Sequence, residues 1–324
     1  MKSREEIIEI VQNELTLTNW LSEPIDLYKP IAYTMSMGGK HIRSAITLMA
    51  CNLYSDNIHL ALQPAIGIEV FHNFTLLHDD IMDKAETRRG KPTVHVKWND
   101  NTAILSGDAM LIKAYQLLAK CPPENLSEIL SVFSQTAIEV CEGQQYDMNF
   151  EHQDTVSEEE YIEMIRLKTA VLLAASLKIG AIIGGATPLQ ANALYDFGIH
   201  IGIAFQLQDD LLDVYGDPTI FGKKIGGDIV CNKKTFLLIR ALKNANNTQR
   251  NKIQHWMTQH PDDPTEKIVQ MTSIFNETGV KQACQQRMKE HYNKALLALN
   301  KACEVEEKIV HLQKLASELM QREK

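Results

Sequence analysis

Paired cysteines are missing from this chain. Its six cysteines (Cys51, Cys121, Cys141, Cys231, Cys284, Cys303) are scattered over 324 residues, with no CxxC and no short metal-ligand spacing. Disulfide scaffolds are small and dense in cysteine, so reduced thiols in a cytoplasmic protein are the expectation. Positive charge is also scarce: 33 lysines and arginines against 41 acids leave a formal charge of −8, which argues against a nucleic-acid partner. The N-terminus, "MKSREEIIEIVQNELTL", lacks the apolar centre of a signal peptide. The most apolar run, Ala170 to Ala186, is interrupted by Lys178 and falls short of the roughly 20 residues that span a bilayer, so no transmembrane segment is expected. Its small residues, Ala174, Ala175, Gly180 and Gly184, instead predict a helix buried among close neighbours. No Ser-His-Asp or Cys-His set suggests itself as a nucleophilic centre.

Strand alternation is equally scarce, and almost every segment reads at helical period. Ser157 and Glu160 stand at capping-box spacing. Asp263, Pro264 and Glu266 suit an N-cap, a first helical position and an early third. Ile309, Leu312, Leu315 and Leu319 form an amphipathic stripe. Prolines 24, 30, 122, 123, 188, 218 and 261 fall between such segments, and no linker or shift of composition marks a boundary. The expectation is an all-α protein of roughly ten or more helices, one domain over 1–324.

One device occurs twice. "LLHDDIMD" carries Asp79, Asp80 and Asp83; "QLQDDLLD" repeats the spacing with Asp209, Asp210 and Asp213. Residues four apart share a helix face, so Asp79 projects with Asp83 and Asp209 with Asp213. Carboxylates this close repel unless a cation intervenes. Both copies sit in strongly apolar sequence, where unpaired charge is costly. A calcium loop is excluded, because neither copy alternates its ligands around a central glycine. Magnesium fits better: it takes one or two carboxylates and completes its shell with water and phosphate oxygens. Phosphate in turn calls for cations. Arg88 and Arg89 follow the first copy, Lys223 and Lys224 the second, and Lys168, Lys233, Lys40 and Arg43 add more.

These residues resemble, in order, the motifs of the trans-isoprenyl diphosphate synthases (polyprenyl synthetases). "MGGKHIRS" is similar to the family's GGK-x-x-R segment, and "HNFTLLHDDIMDKAETRRGKPTVH" to its first aspartate motif with the following RRG. "GQQYDM" resembles GQ-x-x-D, "LKTAVLL" the KT element, "FQLQDDLLDVYGD" the second aspartate motif and "GKKIGGDIVCNKKT" the GK…GGD…K-x-T tail. Each alone is weak; the ordered set is specific.

The resemblance implies a helical bundle of the isoprenoid synthase type with a central apolar cavity, and a homodimer. It implies a reaction that joins isopentenyl diphosphate to an allylic diphosphate (dimethylallyl, geranyl or farnesyl). Asp79, Asp83 and Asp209 would hold magnesium, three ions with bound diphosphate, supported by Asp80, Asp210 and Asp213. The allylic diphosphate would meet Arg88, Lys168, Thr169, Gln206, Lys223 and Lys233; isopentenyl diphosphate would meet Lys40, Arg43, His72 and Arg89. Lys168 and Lys223 count with the six aspartates as catalytic. His72 lies two turns before Asp79, which places it on the same face. His41 and Ser44 depart from the family, which usually shows a basic residue and proline there. The chemistry implied is ionisation of the allylic diphosphate in a closed apolar site, with departing pyrophosphate electrostatically stabilised. "IFGKKIGGD" is the candidate closing loop.

Phe74 and Thr75 stand upstream of Asp79, about 6–8 Å along the helix axis, where the family sets product length. The single aromatic and uninserted motif imply a C20 product, with C15 as the alternative and longer chains beyond. Plain core packing of Phe74 remains the other reading. Two rival functions, a class I terpene synthase and a non-catalytic subunit of a heteromeric synthase, are opposed by the intact second "DDLLD" and by the isopentenyl site.

Overall fold

Caps and close-packing residues convert the helical pattern into structure. The computed structural model describes residues 2–217, 225–259 and 261–320. In chain order the helices are α1 (Arg4–Leu17), α2 (Ile25–Met35), α3 (Ile42–Asn52), α4 (Leu62–Met82), α5 (Val94–Lys97), α6 (Asp100–Leu118), α7 (Leu126–His152) and α8 (Glu158–Ile165). After a π turn at Arg166–Ala170 follow α9 (Val171–Gly184), α10 (Pro188–Tyr215), α11 (Gly227–Val230), α12 (Phe236–Asn244) and α13 (Asn247–Thr258). The series closes with α14 (Thr265–Glu277), α15 (Val280–Ala302) and α16 (Glu306–Met320). The only strands among the described residues, β1 (Thr87–Arg88) and β2 (Lys91–Pro92), pair as one short hairpin.

Ser157 and Glu160 close the expected capping box on α8. Two expectations need correction. Pro30 lies inside α2, not between helices; it stands just past the first turn and lacks the N–H that would otherwise reach the Asp26 carbonyl. At the start of α14, Pro264 occupies the N-cap, and the Asp263 side chain accepts from the Thr265 N–H. An aspartate before proline is steered out of helical geometry and turns the chain with its side chain instead.

The chain forms two compact units, neither continuous in sequence. The first comprises Met1–Ser134, Ala175–Leu194 and Ala302–His311. In it α4 packs along α6 around buried Ile66, Phe71, Met110 and Leu118. The small residues of α9 do what the sequence predicts: a Cβ on Gly180 would lie 2.0 Å from the Thr47 carbonyl oxygen of α3. The second unit comprises Gln135–Ala174, Tyr195–Lys301 and Leu312–Lys324. Its core gathers Tyr161, Leu207, Leu211, Phe236, Leu237 and Phe275. The stretch Glu158–Gly184 is long and apolar enough to cross a membrane, yet 78% of its most apolar window is buried inside the protein. All six cysteines are free thiols.

Candidate active site

The first aspartate motif lies at the C-terminal end of α4. Asp83 is the C-cap and donates its N–H to the Asp79 carbonyl, so the two are one turn apart as expected. Lys84 adopts φ +52°, and the Ala85 N–H returns to the Asp80 carbonyl, which completes a Schellman stop. The chain then enters the hairpin, whose two-residue loop, Arg89 (φ +53°) and Gly90 (φ +73°), forms a left-handed turn suited to twisted strands. That turn brings Arg88 back onto the motif. Its Nε lies 2.9 Å from both oxygens of Asp80, and Nη2 lies 2.8 Å from Oδ1. Asp80 is thus buried and locked, while Asp79 is half-buried and Asp83 exposed.

The same unit assembles the residues expected for isopentenyl diphosphate. Arg43, on the first turn of α3, donates from Nη1 to His72 Nε2 at 3.1 Å. Burial, then the guanidinium of Arg43, hold His72 well below its ordinary pKa, so it stands as a neutral acceptor. Burial also pulls Arg43 down to about 10, against the Glu69 carboxylate, which raises it. Arg43 Nε is buried without a hydrogen-bond partner among the described residues, a donor suited to an incoming anion. Gly39 gives Arg89 its place: a Cβ there would lie 3.1 Å from both terminal nitrogens of that guanidinium. Lys40 is exposed in the loop before α3.

The second motif occupies the last turns of α10. Asp210 is its buried member, only 3% exposed. It accepts from the Tyr161 hydroxyl on Oδ2 and from Gln206 Nε2 on Oδ1. Gln206 in turn accepts from the Thr169 hydroxyl at 3.2 Å. Burial above all, then the Asp228 carboxylate, push the Asp210 carboxyl up to about 8, against those two donors. Asp209 and Asp213 are half-buried, and Asp213 accepts the Asp228 N–H at 2.9 Å, tying the "GGD" segment to the motif.

Lys168 and Thr169 sit in the π turn, a device that recurs at functional sites. α7 passes so close that a Cβ on Gly143 would lie 2.3 Å from the Lys168 backbone nitrogen. One turn further along α7, Asp147 accepts from Lys168 Nζ at 2.7 Å and lies 3.8 Å from Lys233 Nζ. Burial raises the Asp147 carboxyl, but the two lysines outweigh it and hold it below the usual range. The segment before Lys233 is anchored by Lys267, which is 1% exposed and donates to Asn232 Oδ1 and the Val230 and Gln259 carbonyls. Lys223 and Lys224, with most of the expected closing loop, lie outside the described residues.

Phe74 is 9% exposed and packs on Phe71 and His78, with centroids 5.5 and 4.7 Å away. Phe71 continues the aromatic contacts to Phe133 and Tyr115. The Thr75 hydroxyl turns back to the His72 carbonyl of its own helix.

Among the described residues no three His, Cys, Asp or Glu side chains form a closed cation cage. Magnesium, which takes few carboxylates and finishes its shell on phosphate, does not need one. Within each unit the carboxylate oxygens of its own motif, Asp79 and Asp83 in the first and Asp209 in the second, are donors of the kind that ion takes. Sequence reasoning missed three residues here. Asp147 was within the quoted "GQQYDM" but had no assigned partner; Tyr161 carried no signal. Glu69 showed only as a lone acid in the apolar run "AIGIEVF".

Comparison with known proteins adds an independent line. The polyprenyl synthetase family model matches residues 25–274. A geranylgeranyl diphosphate synthase of Methanosarcina mazei is 43% identical over 225 residues, 69% of each chain. A geranylfarnesyl diphosphate synthase of Natronomonas pharaonis is 40% identical over 256 residues, 74% of each. A crystal structure of a geranylgeranyl pyrophosphate synthase superposes with a TM-score of 0.94 at 41% identity, covering 99% of each chain.

Proposed function

The chain belongs to the polyprenyl synthetase family, and from that footing we propose how this all-α prenyltransferase uses its residues. It condenses isopentenyl diphosphate with an allylic diphosphate to give a short-chain prenyl diphosphate, C20 first and C15 as the alternative. The observation that carries the assignment is the shared construction of the two motifs. Each buries and bonds its middle aspartate, Asp80 or Asp210, which fixes the end of the helix that carries Asp79 and Asp83 in one motif and Asp209 in the other.

Asp79, Asp83 and Asp209 are the ligands for magnesium, which when bound supplies positive charge to the departing pyrophosphate. Lys168 and Lys233, paired on Asp147, take the same diphosphate, with Thr169 and Gln206 orienting it. Arg88 and Lys223 belong with them by their place in the sequence. Lys40, Arg43, His72 and Arg89 hold isopentenyl diphosphate; neutral His72 accepts from Arg43 and so orients its guanidinium. Asp210 and Asp213 act by fixing Gln206 and the Asp228 segment. The working unit is one domain over 1–324, supported by α7, α9 and α10, each of which begins in one compact unit and ends in the other. Homodimerisation is supported by α6, whose Ile104, Leu105 and Ile112 are 45%, 60% and 58% exposed.

Phe74 limits product length, supported by the aromatic packing that fixes its ring. The test is incubation with labelled isopentenyl diphosphate and each of dimethylallyl, geranyl and farnesyl diphosphate, with products separated by chain length. Incorporation ending at C20 is expected, and Phe74→Ala lengthens the product. An unchanged length distribution removes Phe74 from this role, and no incorporation from any primer removes the assignment.

A further inference from the structure

Glu69 stands in the middle of α4 and is only 2% exposed. A lone carboxylate in an apolar helix is expensive unless its oxygens are satisfied. Both are: His41 Nδ1 lies 2.9 Å from Oε1, and Ser44 Oγ lies 3.0 Å from Oε2. These two partners are the positions at which the sequence departs from the family pattern. They also flank Arg43, and Lys40 directly precedes His41. His41 adopts the left-handed conformation (φ 47°, ψ 35°) at the N-cap of α3, and its side chain makes no capping bond. The imidazole goes to Glu69 instead. Ser44 Oγ is also 3.0 Å from the His41 carbonyl oxygen, so its single hydroxyl proton is shared between that turn and Glu69.

The connections form a closed circuit. From Glu69 on α4 they pass through His41 and Ser44 to the start of α3, then from Arg43 back to His72 on α4, three residues beyond Glu69. Two points of attachment fix both the position and the rotation of the α3 start, where one would allow pivoting. The carboxylate also faces guanidinium charge from Arg43 on α3 and from Arg89 in the hairpin loop, alongside His41. With its oxygens engaged, Glu69 stays ionised: burial pushes its carboxyl up, but His41, Ser44 and Arg43 bring it below the usual range.

We propose that Glu69 is a positioning residue for isopentenyl diphosphate, acting through His41 and Ser44 on Lys40 and Arg43. It touches no reacting atom. It supplies the buried counter-charge that lets the cation cluster assemble before a phosphate arrives, and it fixes the direction of those cations. This rests on the reading that Lys40, Arg43, His72 and Arg89 form the isopentenyl site, so the experiment separates the two.

Steady-state constants for both substrates are measured in Glu69→Ala, Glu69→Gln and Arg43→Ala. Glu69→Ala raises KM for isopentenyl diphosphate about tenfold or more, equivalent to about 1.4 kcal/mol, with KM for the allylic substrate within about twofold. Glu69→Gln keeps the shape and one oxygen acceptor, so it gives a rise of about threefold in the same constant alone. Should the alanine variant fail to fold, the glutamine variant decides. Equal rises in both constants, a fall in kcat alone, or no change overturns the role of Glu69, provided that Arg43→Ala raises KM for isopentenyl diphosphate. No rise in Arg43→Ala instead overturns the placement of the isopentenyl site, and this proposal with it.

Discussion

The two aspartate motifs have one spacing and two electrostatic solutions. Asp80 is gripped by a guanidinium from a hairpin that folds back after the helix has stopped. Asp210 lies inside the second unit with a phenol and an amide as its donors, and its carboxyl is pushed up to about 8. The first motif ends its helix, whereas α10 continues to Tyr215 beyond the second. The difference teaches that DDxxD alone prescribes geometry, not charge. What neighbours the middle aspartate decides whether the motif is balanced by a formal cation or by dipoles.

The largest test of that comparison is to remove one outer carboxylate at a time. Asp79→Asn and Asp209→Asn each lower kcat by about 10²–10³-fold, the range for losing one group that stabilises developing charge. Labelled incorporation measures it. A loss in one variant only would break the parallel between the motifs.

A smaller effect should separate the middle residues. Arg88→Ala leaves a buried carboxylate without its ionic partner and costs about 2–3 kcal/mol in urea unfolding. Tyr161→Phe removes one donor and costs about 1–2 kcal/mol. Reversal of that order would contradict the contrast between charge pairing and dipole pairing.

The smallest effect concerns Asp147, whose carboxyl is held below its unfolded value of 3.8. A depressed carboxyl contributes stability that is present above that value and lost as pH falls through the folded one. Asp147→Asn therefore melts lower than the parent at neutral pH, and the gap narrows below about pH 4. A gap independent of pH would remove the ion pair as its cause.

Much of this was legible in the sequence. Helical period, the Ser157 box and the small residues facing α3 gave the fold class. The paired spacings gave the motifs, because four-residue intervals become neighbours on any helix. What stayed hidden depends on contacts distant in sequence. Asp147 reaches Lys168 across 21 residues, and Tyr161 reaches Asp210 across 49. The Arg88 turn was hidden for another reason: an arginine at positive φ is uncommon, so nothing local announced a left-handed loop at Arg89. The α14 start was misplaced by one residue because Asp263 and Pro264 each suit two positions.

The most direct test of the central claim is a crystal structure with magnesium and a non-ionisable allylic thiodiphosphate. Diphosphate-bound magnesium ions are expected there, with Asp79, Asp83 and Asp209 oxygens at about 2.0–2.1 Å. Ions bound by one motif while the other stays without metal or diphosphate would contradict the claim.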